Sequence, residues 1–302
     1  MNAIRLGTRG SLLARAQSAL VAEEITRRTG RAVETVLITT SGDKIVDRPL
    51  HEAGGKGLFV KEIEQALLAG TIDFAVHSCK DVPVTMPLVD QSGLVIAAIP
   101  PRLDPRDVLI STGAGTIGEL PAGCVVGTGS LRRQCQVLHR RPDVKIQPIR
   151  GNIDTRIGKL KDGKYGATLL ALAGLKRAGL FDAAFMHPIS VEEILPAPGQ
   201  GALALQCRAE DAETRGILRQ LDDARSRLAV EAERAVVAAL HCDCHSPIAV
   251  LGVVVGQVLH LRAALGERDG QPPVRFAAAE ASVGNVELAV AAIAGELGGG
   301  SG

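Results

Sequence analysis

The chain has no tryptophan, a single tyrosine (Tyr165) and an aromatic share of only 2%. Proteins that bind single-stranded nucleic acid stack bases on aromatic rings, so a platform of that kind is excluded. An excess of one charge is missing too. Lysine and arginine number 34 against 33 for aspartate and glutamate, a net charge of +1. That argues against a nucleic-acid binder, which carries an overall basic face. No apolar run is long enough to span a bilayer. The opening Met-Asn-Ala-Ile-Arg has no apolar leader, so a cytoplasmic chain away from membranes is expected. Disulfides are not expected either. Cys79, Cys124, Cys135, Cys207, Cys242 and Cys244 are mostly scattered among apolar residues and read as reduced thiols.

What is there is an ordinary globular composition, 46% hydrophobic and 22% charged over 302 residues. That length suits two or three domains. Strand and helix patterns alternate through the first two hundred residues. Ile4 to Ser11 reads as a short strand leading into a helix from Leu12, and Val33–Thr39, Asp73–His77 and Leu94–Ile99 read as further strands. Pro100 to Pro105 breaks the pattern and marks a first domain crossing. Four more strands follow, near Asp107–Ser111, Cys124–Thr128, Lys145–Ile149 and Thr168–Leu172. Pro196 to Gly201 marks the return, and the apolar run Ala202–Cys207 reads as a strand crossing back into the first sheet. This is an α/β class with two lobes, a hinge and a ligand cleft, the layout of periplasmic binding proteins. From Asp222 the order becomes helix, three strands, helix, a small α+β domain. The expected domains are 1–99 with 200–220, then 100–199, then 221–302.

Several strands end in the same way. Gly7-Thr8-Arg9-Gly10-Ser11 precedes a helix, and Gly127-Thr128-Gly129-Ser130 precedes another that opens Leu131-Arg132-Arg133. Ile149-Arg150-Gly151-Asn152 leads into a third helix containing Arg156. A helix N-terminus presents unpaired N–H groups and a positive dipole end, so each junction suits an anion. Arginine adds a planar fork that matches a carboxylate. One such arginine is usually a solvated residue. Several at independent junctions point to a ligand with several carboxylates.

Val76-His77-Ser78-Cys79-Lys80-Asp81-Val82-Pro83 is a different kind of ending. An apolar strand stops in a hydroxyl, an ammonium and a carboxylate. Asp81 there suits a cationic reaction centre and Lys80 an anionic group, since ligands bind at the carboxyl ends of strands. A surface Lys-Asp pair closed by Pro83 is the equal alternative.

The loop His241-Cys242-Asp243-Cys244-His245 suggests zinc, but its spacing is poor for a structural site and no second pair exists. No metal is expected. A reactive thiol fits better, with simple packing as the plain alternative.

Together these residues resemble the porphobilinogen deaminase (hydroxymethylbilane synthase) family from Ile4 to about Leu297. The specific matches are Gly54-Gly55-Lys56-Gly57-Leu58-Phe59, His77 to Pro83, Gly127 to Gln134, Arg150-Gly151-Asn152 and Gly199-Gln200-Gly201. The resemblance implies a transferase that joins four porphobilinogen molecules, with loss of ammonia, on a covalent dipyrromethane. It implies Cys244 as the attachment thiol, because Pro247-Ile248 follow it, and Asp81 as the catalytic acid. Lys80, Asp81, Ser130, Arg132, Arg133 and Arg156 would hold the cofactor. Arg9, Ser11, Arg150, Arg156, Arg177, Gln200 and Phe59 would hold substrate, with Lys56 and Phe59 on a covering loop. A monomer is implied. Two departures stand out. Cys242 and Asp243 replace two glycines of the family, which could serve a positive φ or close approach of the cofactor, and the change adds Cys242 as a second, lesser candidate for attachment. Glu52 stands where bacterial relatives often carry a base. The competing function is a non-catalytic, two-lobed polycarboxylate-binding protein, which would need the arginines but neither Cys244 nor Asp81.

Overall fold

The computed structural model describes residues 3–44, 60–84, 93–243 and 246–299. The chain divides into two compact units, residues 1–103 with 202–227, and 104–201 with 228–302.

The first unit is built on β1 (Ile4–Thr8), α1 (Leu12–Thr29), β2 (Val33–Leu37), the short α2 (Ser41–Lys44), α3 (Lys61–Leu68), β3 (Phe74–Ser78) and β4 (Leu94–Ala98). Its sheet has the order β2-β1-β3-β10-β4, with β10 (Leu203–Arg208) returning from far along the sequence. β10 lies antiparallel between β3 and β4, pairing Leu203 with Ser78 and Cys207 with Phe74. Its pattern of near-continuous burial fits a central strand covered on both faces. β1 and β3 are parallel neighbours, Leu6 opposite Phe74. The core gathers Leu6, Ile25, Phe74, Leu205 and Leu218. α7 (Ala212–Arg219), capped by Asp211, contributes Ile217 and Leu218.

The second unit holds β5 (Asp107–Ser111), β6 (Val125–Gly127), α4 (Leu131–Arg140), β7 (Lys145–Gln147), α5 (Ile153–Lys161), β8 (Ala167–Ala171), α6 (Leu172–Arg177) and β9 (Met186–Pro188). The sheet order is β7-β6-β8-β5-β9. β6, β7 and β8 run parallel, whereas β5 is antiparallel to β8 with Asp107 opposite Ala171. This reversal brings the first residue of β5 to the end where the parallel strands finish. α8 (Ala224–Ala239) leads to an antiparallel meander, β11 (Ile248–Val255), β12 (Val258–Leu265) and β13 (Arg275–Ser282), covered by α9 (Val286–Gly298). Ala249, Leu251 and Ala264 of this meander pack with Cys135 of α4 and Leu195. The mixed α/β class with a small α+β C-terminal part is thus the one its sequence suggests.

A buried polar chain crosses the first sheet. His77 Nε2 lies 3.0 Å from Gln206 Oε1, and Gln206 Nε2 donates to Glu64 Oε1 at 2.8 Å. All three residues are buried. The amide orientation makes His77 the Nε2–H tautomer, since the amide oxygen can only accept. Desolvation pushes the His77 imidazole down from 6.5 to about 4, with the Gln206 bond opposing and the Arg9 charge assisting. The folded protein therefore holds His77 neutral where the unfolded chain protonates it. Stability is complete above pH 6.5 and falls as pH drops to about 4, by roughly 3 kcal/mol at about 1.4 kcal/mol per pKa unit. Urea unfolding of the wild type and His77→Gln at pH 7 and 4.5 tests this. The variant should lose less stability than the wild type between the two; equal losses would show that His77 does not titrate in this window.

Candidate active site

In the first unit the site residues sit at the carboxyl ends of two neighbouring parallel strands. Continuing the β1–β3 register from Gly7 opposite Ala75 puts Arg9 beside His77, consistent with the charge it imposes on that ring. Ser11 caps α1: its Oγ accepts from the Ala14 N–H at 3.3 Å. β3 passes into a 3-10 turn, Cys79–Asp81. Cys79 and Val82 are buried at 3% and 4% exposure and anchor the turn, while Asp81 is exposed and Lys80 half-buried. The Cys79 N–H donates to the Ala202 carbonyl at 3.0 Å and Val82 N–H to Cys79 at 3.1 Å. Ser78 is held by Gln17, Nε2 to Oγ at 3.0 Å. The Asp81 carboxylate is thus presented on a fixed backbone and forms no ion pair or hydrogen bond among the described residues. An accessible carboxylate at a strand end can stabilise a cation or move a proton.

In the second unit the junctions after β6, β7 and β8 share one end of the sheet. Ser130 begins α4; its side chain makes no cap, but its N–H donates to Thr128 Oγ1 at 3.1 Å. Arg132 and Arg133 are buried at 4% and 7% exposure. Both turn to Asp107, a carboxylate that sequence reasoning passed over as part of a strand. Arg132 Nη1 donates to Asp107 Oδ2 and to the Leu195 carbonyl, each at 2.8 Å. Arg133 donates Nη2 to Asp107 Oδ1 at 2.8 Å and Nε to Oδ2 at 3.2 Å. Gln200 also gives Nε2 to Asp107 Oδ1 at 2.9 Å and to the Pro105 carbonyl at 2.7 Å. The two guanidinium charges outweigh burial and hold the Asp107 carboxyl far below the usual range. An acid at a strand start, two residues after a proline, was the available sequence signal.

Among the described residues Arg150 and Arg156 have no such acid. Arg156 Nε donates to the Gly151 carbonyl at 2.8 Å. Burial, then repulsion from Arg133 and Arg150, pushes Arg156 down to about 10. Arg150 Nε is buried with no hydrogen-bond partner. A buried donor without an acceptor is costly, and like charges massed here need an anion. Gly151 makes the turn possible: its φ is +108°, and a Cβ would lie 2.6 Å from Thr155. Arg177, pushed down to about 10 by burial, donates to the Gly201 carbonyl at 2.8 Å.

The cysteine-bearing segment from His241 follows α8. The helix ends in a Schellman-type cap, with Cys242 N–H on the Val237 carbonyl and His241 N–H on Ala238, both 3.0 Å. Among the described residues His241 is the only non-glycine with positive φ, 53°. The left-handed position thus falls one residue before the pair that replaces the family glycines, and Cys242 and Asp243 keep ordinary backbone. Ser246 Oγ accepts from the Asp243 N–H at 3.0 Å. Burial raises the Cys242 thiol, and Asp243 raises it further, against a bond from Ser246. Cys244, Phe59, Lys56 and Glu52 lie outside the described residues. Among the described residues no group of three or more His, Cys, Asp or Glu comes together as a metal site, and no helix is long and apolar enough to cross a membrane.

The family model "Porphobilinogen deaminase, dipyromethane cofactor binding domain" matches residues 4–216, and "Porphobilinogen deaminase, C-terminal domain" matches 227–295. A porphobilinogen deaminase of Brevibacillus brevis is 48% identical over 269 residues, 88% of this chain and 85% of that protein. One from Sorangium cellulosum is 47% identical over 268 residues, covering 88% of each. Among solved structures, the periplasmic aliphatic sulphonate binding protein SsuA from Escherichia coli is 15% identical with a TM-score of 0.42, over 80% of this chain and 71% of that one. That likeness is distant and says nothing of function.

Proposed function

The chain belongs to the porphobilinogen deaminase family, and we propose that Asp81 and Cys244 carry its reaction while two sets of basic residues hold the acid groups. The activity is that of a transferase. Four porphobilinogen molecules are joined head to tail with loss of ammonia, on a covalent dipyrromethane, and hydroxymethylbilane is released by hydrolysis.

The residues present fit the cofactor. The massed, repelling arginines and the orphaned Arg150 Nε are what a group bearing several carboxylates would satisfy. When bound, dipyrromethane supplies the pyrrole carbon on which the chain is started. In this reading Lys80, Asp81, Ser130, Arg132, Arg133 and Arg156 hold it. Arg9, Ser11, Arg150, Arg156, Arg177, Gln200 and Phe59 hold the acetate and propionate arms of porphobilinogen. The exposed Asp81 carboxylate stabilises positive charge on a pyrrole nitrogen as ammonia leaves and takes or returns a proton there. Ser11 has its Oγ committed to the α1 cap, so it retains its O–H as a donor for a ligand oxygen.

The single observation that carries this reading is the partnerless Arg150 Nε among like charges. The same proposal divides the chain into residues 1–99 with 200–220, 100–199 and 221–302, supported by three separate sheets, and places it as a monomer in the cytoplasm. Its test is an intact mass before and after incubation with porphobilinogen. An increment equal to two linked pyrrole units, removed from none of the protein by denaturation, is expected. An unmodified chain would leave only a polycarboxylate-binding protein.

A further inference from the structure

The ligand end of the second sheet gathers Arg132, Arg133, Arg150, Arg156 and Arg177, and among the described residues a single carboxylate, Asp107, is bonded to any of them. Asp107 has no exposure and accepts four hydrogen bonds, one from Arg132, two from Arg133 and one from Gln200. That fills the capacity of a carboxylate. Three buried charges are a poor device for stability alone, since desolvating each ion costs several kcal/mol. The helix adds to the cost. Arg132 and Arg133 stand in the first turn of α4, which has no acid of its own, and cations at a helix N-terminus oppose its dipole. Asp107 supplies the missing negative charge from β5.

Among the described residues Arg132 donates only from Nη1, and Arg133 only from Nε and Nη2. A guanidinium has five N–H donors, so each keeps donors for a ligand. The Gln200 bond reaches the loop after Pro198, where Gly199, at a φ of 71°, gives its N–H to Glu233 at 2.6 Å. Glu233 lies on α8 and also accepts from Gly252 of β11 at 2.7 Å. The hydrogen-bonded chain therefore runs from the arginines to the helix that leads into the Cys244 loop.

We infer that Asp107 is a positioning residue: it grips Arg132 and Arg133 by one edge each, presenting their other donors to ligand carboxylates, and fixes them to the Pro198–Gly201 loop through Gln200. The inference rests on the reading of those arginines as cofactor-holding. Its test is the rate of covalent loading of cofactor-free protein by porphobilinogen, followed by intact mass. Asp107→Asn is expected to slow loading at least tenfold with an unchanged circular dichroism spectrum. Combined with Arg132→Gln and Arg133→Gln together, it should add less than a further twofold, because both groups it positions are already gone. Independent, multiplying losses, or loading at the wild-type rate, would overturn the inference. If Asp107→Asn does not fold, the charge-balanced pair Asp107→Asn with Arg132→Gln is compared with Arg132→Gln alone, and should load at least fivefold more slowly; equal rates would overturn it. A wild type that fails to load removes the underlying reading, and is told apart because Asp107 is intact there.

Discussion

Asp81→Asn is expected to lower kcat by about 10²–10³-fold, the usual cost of removing one preorganised electrostatic group, with the fold unchanged. The substitution keeps the shape and removes the charge. As ammonia leaves, positive charge grows on a pyrrole, and a neutral amide stabilises it far less than a carboxylate does. The structure explains why stability should be spared. Asp81 is exposed and forms no bond among the described residues, while the turn is held by buried Cys79 and Val82 and by backbone bonds to Ala202 and Cys79. Surface changes of this kind are usually within about 0.5 kcal/mol. Steady-state turnover beside a thermal melt decides the matter. A near-normal kcat would remove Asp81 from the mechanism, and an unfolded variant would show that the turn depends on the charge.

Cys244→Ser should abolish covalent loading altogether, and with it turnover, while Cys242→Ser should load as the wild type does. Attachment needs a thiolate, and its availability follows the thiol pKa. Cys242 is half-buried, and burial together with Asp243 raises it above the ordinary cysteine value, which leaves it less thiolate than an ordinary cysteine carries. Its backbone is also committed to the helix cap. Intact masses and peptide maps of residues 241–248 in both variants give the answer. An increment surviving Cys244→Ser and vanishing in Cys242→Ser would move the attachment to Cys242 and leave the enzyme class intact.

Most strands and the long helices were legible because their signals are local. β10 reads as a buried run, β11 to β13 alternate, and Ser11 stands where an N-cap belongs. α7 escaped because its apolar contribution is short, Ile217 and Leu218, and β9 because three residues carry no period. Whether the loss of the family glycines moves a positive φ was not legible; the helix cap puts the left-handed residue at His241 and not at 242 or 243.

The sequence alone determined which residues could act: an acid and a lysine closing β3, arginines at successive strand–helix junctions, and a cysteine before Pro247-Ile248. Tertiary structure decided how those arginines are partnered. Arg132 and Arg133 read as two more free forks until β5, reversed beside β8, delivers Asp107 to them. Among the described residues Arg150 and Arg156 gain no such partner. Residue type and spacing report local conformation, whereas the partner of a buried charge depends on strand order and direction, which the chain settles only when the sheet has formed.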